Sequence, residues 1–147
     1  MIITLDLGTT SNRALAISTK GTILSLHQEE FKQYFPQPGW VEHDAMEIFN
    51  STALVLNKTL QSTNEKPKVL AITNQRETVV AWQRSTGLPL HHAIVWQCRR
   101  TSKRIQALSQ EQKQYIKVVT GLIADAYFSA SKIEWLINHC DAVKNAI

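Results

Sequence analysis

The N-terminal stretch constrains the fold most, because it sets β-prone runs one after another with short connections. "MIITLDL" (Met1 to Leu7) reads as a short buried strand, and "RALAIS" (Arg13 to Ser18) and "TILSLHQE" (Thr22 to Glu29) follow it. Thr19-Lys20-Gly21 joins the last two, with glycine at the end of the turn, as a hairpin requires. A chain that turns back this tightly pairs with itself, so the sequence opens on an antiparallel meander.

Beyond the meander the pattern becomes mixed. "EFKQYFPQPGWVEHD" (Glu30 to Asp44), with its prolines and glycine, reads as an irregular excursion. Asp44 then starts a helix as N-cap, with Glu47 placed to complete a capping-box-like pair. Met46, Phe49, Ala53, Leu56 and Leu60 form its apolar face. "VLAIT" (Val69 to Thr73), "VVAWQ" (Val79 to Gln83) and "AIVW" (Ala93 to Trp96) read as buried strands, with a turn at Arg84 to Pro89. A helix with a thin apolar face (Ile105, Leu108, Ile116) is expected from Arg99 to about Lys117. A last one is expected to begin near Ser131, capped by the Ser131–Glu134 pair, with a stripe of Ile133, Leu136, Ile137, Cys140, Val143 and Ile147. That stripe reaches the last residue, which reads as the front part of something longer. The class is α/β.

Composition sets the limits. A length of 147 residues with 44% hydrophobic content suits one core, and 19% charged residues suit a globular chain. The net charge is +4, and its densest cluster, "CRRTSKR" (Cys98 to Arg104), reads as a solvated helix face rather than a nucleic-acid surface. Cys98 and Cys140 lie far apart, with no Cys-x-x-Cys pair, as in a reduced cytoplasmic chain. The 5 histidines lack metal-ligand spacing and read as surface or core residues. No apolar run approaches the roughly 20 residues of a membrane span. The first apolar run contains Asp6 and no basic lead-in, unlike a signal peptide. No membrane and no nucleic-acid partner are expected.

Two polar stretches carry chemistry. In "LDLGTTSNRA" (Leu5 to Ala14), Asp6 at a strand end suits Mg²⁺, directly or through water. Gly8 lets the backbone approach a ligand, and Thr9, Thr10 and Ser11 offer hydroxyls and N–H groups to phosphate oxygens. Arg13 adds a bidentate cation for a transferring phosphoryl group. It is not a Walker loop, since the Gly-Lys pair is missing; on spacing alone a plain hairpin turn is the commoner reading. The second stretch is "NQRET" (Asn74 to Thr78), which puts Arg76 beside Glu77 between two strand-like runs, where a turn would normally use Gly or Pro. An exposed local ion pair is the other reading of that pair.

At these residues the chain resembles a known family. "DLGTTSNRA" resembles the first phosphate motif of the sugar-kinase, Hsp70 and actin superfamily, and "GWVEHD" (Gly39 to Asp44) a segment of the FGGY carbohydrate kinases. "ITNQRET", "AIVWQCRRT" (Ala93 to Thr101) and "TGLIADAYFSASK" (Thr120 to Lys132) resemble the glycerol-kinase branch. Two positions depart from it: Leu7 stands where many members have Gln, and Ala126 where many have Pro. The resemblance runs the length of the chain but covers only the front of the family's first domain.

The resemblance implies an incomplete ribonuclease-H-like ATPase domain, residues 1–147 forming the N-terminal part of the first kinase domain, with the rest of it and the second domain lying elsewhere. It implies ATP-dependent phosphorylation of glycerol to glycerol 3-phosphate by a cytoplasmic, homo-oligomeric parent enzyme using ATP/ADP and Mg²⁺. Asp6 would organise Mg²⁺; Gly8, Thr9, Thr10 and Ser11 would line the phosphates; Arg13 would stabilise the transferred group. Arg76, Glu77, Trp96 and Tyr127 would hold glycerol, although Trp96 and Tyr127 read alone as core residues. The general base is expected outside these residues, and the isolated chain is expected to be inactive. Other expectations are a different sugar or polyol kinase of the same family, or a short non-catalytic interaction protein. A nucleic-acid protein of the ribonuclease-H type would need carboxylates such as Glu29, Glu30 and Glu47 gathered around Asp6.

Overall fold

A computed structural model describes residues 1–147. The elements run β1 (Ile2–Leu7), β2 (Ser11–Ile17), β3 (Ile23–Glu30), β4 (Glu42–His43), α1 (Ala45–Gln61) and β5 (Val69–Thr73). Then follow β6 (Ala93–Ile94), α2 (Ser102–Gln106), α3 (Gln110–Thr120), α4 (Ser129–His139) and α5 (Asp141–Lys144). They divide into two compact units, Met1–Gln33 with His43–Arg76, and Tyr34–Glu42 with Glu77–Ile147.

The first unit is a four-stranded sheet in the order β3-β2-β1-β5, with β1, β2 and β3 forming the expected antiparallel meander and β5 added parallel to β1. The register sets Ile3 opposite Ala16, Leu5 opposite Ala14 and Leu7 opposite Asn12. These residues share one face, and α1 covers it with Val55, Leu56 and Leu60. Two alanines on β2 leave room for the helix. Polar bonds fix where it sits: Asn12 Nδ2 donates to Ser51 Oγ at 2.7 Å and to the Ile48 carbonyl at 3.0 Å, and Thr59 Oγ1 donates to the Ala14 carbonyl at 3.2 Å.

Those bonds correct the expected helix face. The buried positions of α1 are Ser51, Val55 and Thr59, while Phe49 is 65% exposed. Ser51 and Thr59 face inward because β2 offers them polar partners. Asp44 caps α1, accepting from the N–H of Met46 and Glu47; the Glu47 carboxylate also accepts from the Lys32 N–H at 3.3 Å. The expected buried strand β5 is exposed along its whole length, because α1 lies mainly over β2 and β3, reaches only the near side of β1, and leaves this edge strand uncovered.

The second unit centres on Ile94, Cys98, Leu136 and Val143, with Trp40, Val79, Leu90 and Trp135 packed around them. The two expected strands "VVAWQ" and "AIVW" form a looser ladder, with bridges at Val79–Ile94 and Trp82–Pro89 and a regular strand only at β6. Gly87, at φ 71°, makes the turn between them. Within this unit the motif residues Glu42 and Arg100 meet. The Arg100 side chain is fully buried, its Nη2 donates to Glu42 Oε1 at 2.5 Å, and its guanidinium lies 4.0 Å from the Trp40 ring centre and 4.5 Å from that of Trp135. The two aromatic faces stabilise this buried cation, whose Nη1 has no hydrogen-bond partner.

The expected Arg99–Lys117 helix is two helices, α2 and α3. Ser109 interrupts it and caps α3 in a capping box with Gln112. Gly121, at φ 74°, closes α3 in the left-handed conformation. The last stripe is also broken: Cys140 is extended between α4 and α5, Leu136 and Val143 are buried, and Ile133, Ile137 and Ile147 are 47%, 40% and 85% exposed. Nor does α4 begin at a Ser131–Glu134 box. Ser131 lies inside the helix, its hydroxyl 2.8 Å from that of Thr101, and Glu134 pairs with Arg104. Both cysteines are free thiols, and no helix is long and apolar enough to cross a membrane.

Candidate active site

In the first unit the turn from β1 to β2 is built by its own backbone. The Gly8 N–H donates to the Ser11 carbonyl at 3.0 Å. A Cβ on Gly8 would stand 2.8 Å from that same oxygen, so only glycine lets the backbone close here. Thr10 is exposed and Thr9 half-buried. Ser11 is turned inward, 6% exposed, and its Oγ accepts from Gln28 Nε2 at 3.0 Å. It is therefore the least presented of the loop residues.

Asp6 and Arg13 stand directly opposite in the β1–β2 register, on the sheet face away from α1, and both are exposed. Thr73, opposite Asp6 on β5, donates its hydroxyl to Asp6 Oδ1 at 2.9 Å. No group of three or more His, Cys, Asp or Glu is arranged to hold a metal ion. One exposed carboxylate near the Gly8–Ser11 turn suits Mg²⁺, which is commonly held by one or two carboxylates plus substrate phosphates and water. It does not suit an all-protein metal cage. The carboxylate cluster that a nucleic-acid nuclease would need around Asp6 is likewise not formed.

Of the four residues expected to hold a triol, Arg76 is the last of the first unit and is exposed. The other three come together in the second. Glu77 has φ 66°, a conformation few residues other than glycine adopt. Its Oε2 accepts from the Ser129 N–H at 2.9 Å and the Ser129 hydroxyl at 2.7 Å. The carboxylate thus serves the N-terminal end of α4, where negative charge is favoured. The Trp96 N–H donates to Thr78 Oγ1 at 3.2 Å, and the Trp96 ring meets that of Tyr127 edge-on, centres 5.8 Å apart. Carboxylate and aromatic wall therefore belong to one contact group.

Four residues that sequence reasoning passed over hold this group. Asp125 Oδ1 accepts the Tyr127 N–H at 2.7 Å, and Asp125 is gripped by Arg99 through bonds of 2.6 and 3.2 Å. The Arg99 bond holds the Asp125 carboxyl below the usual carboxylate range. On the other side, the buried Lys132 ammonium donates to the carbonyls of Tyr127 and Phe128. Burial pushes its pKa down, opposed chiefly by the Glu77 charge. Ser129 completes the set. Nothing in "DAYFSASK" marks its lysine as buried; that depends on the carbonyls the tertiary fold turns toward it.

Comparison with known proteins now decides the family. Residues 1–147 match the model of the N-terminal domain of the FGGY family of carbohydrate kinases. The chain belongs to the FGGY family of carbohydrate kinases. It is 46% identical over 148 residues to a glycerol kinase of Francisella philomiragia, covering 97% of this chain and 30% of that protein. It is 48% identical over 147 residues to one of Ligilactobacillus salivarius, covering 97% and 29%. The solved glycerol kinase of Plasmodium falciparum with ADP superposes with a TM-score of 0.92 at 33% identity, over 99% of this chain and 30% of that one. A xylulose kinase of Lactobacillus acidophilus superposes with a TM-score of 0.90 at 20% identity, which speaks to fold alone. The chain thus spans about 30% of the length of the curated relatives it matches.

The fold is accordingly the α/β, ribonuclease-H-like one of these kinases. Both departures from the FGGY pattern are accommodated. Leu7 packs with Leu5, Ala14 and Val55 under α1 instead of facing the loop. Ala126 is fully buried, and the approach to Tyr127 that a proline would stiffen is held by Asp125 and Lys132. In the basic cluster of this FGGY chain, Arg99, Arg100 and Arg104 each pair with a carboxylate; Arg99 and Arg104 are solvated as expected, whereas Arg100 is buried.

Proposed function

We propose that the intact protein carrying this chain is an ATP-dependent glycerol kinase that forms glycerol 3-phosphate. The observation that carries the reading is the Glu77 carboxylate, held at a left-handed backbone position, anchored on Ser129 and grouped with the Trp96–Tyr127 wall. A triol needs acceptors for its hydroxyls and an apolar surface for its carbons. Glu77 is the acceptor, Arg76 the donor, and Trp96 and Tyr127 the surface.

The β1–β2 turn is the nucleotide side of the reaction. Gly8 allows close approach, Thr9 and Thr10 give N–H and hydroxyl donors to phosphate oxygens, and Ser11 contributes from its inward position. Arg13 places two donors on the phosphoryl group in transfer. Asp6 orients Mg²⁺, which when bound neutralises phosphate charge. No residue of 1–147 is assigned as the base that deprotonates the acceptor hydroxyl. The supporting facts are the family and identities of about 45% or more to glycerol kinases.

Coupled ADP formation by the intact protein, with glycerol, other polyols and ketoses as acceptors, tests the substrate. Arg76→Ala is expected to raise the glycerol KM by about 10- to 100-fold, the loss of a charge-assisted hydrogen bond. An unchanged KM removes Arg76 from the pocket. A ketose or gluconate preferred over glycerol replaces the substrate but leaves the phosphate side standing.

A further inference from the structure

We propose that Gln33, His43 and Gln75 are positioning residues that brace the β1–β2 turn and thereby set its affinity for nucleotide phosphate. The proposal rests on reading Gly8–Ser11 as the phosphate loop. It gives a role to a residue of "GWVEHD" and one of "NQRET" that the pocket does not use.

The argument is geometric. Gln75 Nε2 donates to the Gly8 carbonyl at 2.7 Å, and Gln33 Nε2 donates to the Thr9 carbonyl at 2.9 Å. The Phe31 N–H reaches the next carbonyl, that of Thr10, at 3.3 Å. Three consecutive peptide planes are therefore held by their oxygens. A trans peptide is planar, with its N–H pointing opposite its C=O. Tethering the Gly8 oxygen fixes the direction of the Thr9 N–H, and tethering the Thr9 oxygen fixes that of the Thr10 N–H. Each N–H points away from the glutamine that holds the oxygen of its own peptide. Donors fixed in advance cost less ordering when an anion binds.

His43 sets the polarity of the brace. Gln33 uses its Nε2 on Thr9, so its Oε1 must accept, and His43 Nε2 lies 2.5 Å from it. That assigns the imidazole proton to Nε2. His43 is fully buried and packs edge-on against Phe31, centres 5.1 Å apart. Burial lowers its pKa to about 4, so it is neutral when it holds Gln33. A doubly protonated ring would put an N–H on the buried Nδ1, for which no acceptor is placed.

The test uses the intact protein with Gln33→Met, Gln75→Met, His43→Leu and His43→Gln. Amide hydrogen exchange at Thr9 and Thr10 is read against amides in the middle of β2 and β3. ADP affinity in the presence of Mg²⁺ is measured by calorimetry, and glycerol affinity alongside it. Gln33→Met, Gln75→Met and His43→Leu are expected to speed exchange in the turn only and to weaken ADP by roughly 3- to 10-fold, one hydrogen bond's worth. Glycerol affinity stays within about twofold, and His43→Gln, which keeps a donor near Nε2, restores most of the loss. Unchanged exchange in the turn overturns the proposal, as does equal weakening of ADP and glycerol or wild-type protein that does not bind ADP. A protein that binds ADP as expected but ignores glycerol sinks the substrate reading and leaves the brace intact.

Discussion

At the residue scale, His43 shows how burial alone sets chemistry. Desolvation moves its pKa from 6.5 to about 4, against the opposing effects of Gln75 and Glu47. Between those values the unfolded chain binds a proton that the folded chain does not. Stability therefore rises with pH across that window, is complete above about 6.5, and falls as pH drops toward 4. The shift corresponds to about 3 kcal/mol. Urea unfolding of the intact protein at pH 4.5 and 7 is expected to show much of this difference, and His43→Gln to remove it. An identical slope in the variant would place the acid sensitivity elsewhere. In the sequence His43 is a lone histidine, and a core role was legible; its partners, 10 residues away at Gln33 and farther at Gln75, were not.

At the element scale, local chemistry was read well where it was self-contained and poorly where it was not. The meander follows from alternating runs and a glycine turn. The break between α2 and α3 is also written locally, as Ser109 with Gln112, and was hidden by a thin apolar face that continues across it. Ser109→Ala is expected to cost about 1 kcal/mol and to lower the melting temperature of the intact protein. A Ser109→Asp variant, which keeps an acceptor at the cap, should melt like wild type. Loss in neither variant would mean that α3 does not depend on its cap. The start of α4 is the opposite case. Its first N–H is met by Glu77, 52 residues earlier, while the serine and glutamate that look like a capping box face Thr101 and Arg104.

At the scale of the whole molecule, much apolar surface is exposed. In the first unit Ile23, Leu26 and Val69 are 58%, 51% and 54% exposed on the sheet face away from α1, and Leu70 and Ile72 are 52% and 58% exposed on the other. In the second, Val118, Val119 and Ile123 are 72%, 62% and 68% exposed. Contiguous apolar surface of this kind binds other apolar surface. A polypeptide of these 147 residues is expected to enhance the fluorescence of an apolar dye, and Leu26→Thr with Val69→Thr to reduce it. No enhancement would mean that these faces are covered in solution.

The sequence by itself determined the meander, the glycine turn with its threonines, the helix after Asp44 and the family, because each rests on neighbours in the chain: period-two alternation, a cap, a turn that tolerates no Cβ. Only the tertiary structure decided which faces are covered, that Ser51 and Thr59 rather than Phe49 turn inward, that Lys132 is buried, and that two glutamines and a histidine hold the loop's carbonyls. Burial and hydrogen-bond partnership are properties of pairs. When the partners lie tens of residues apart, no local pattern records which of them will meet.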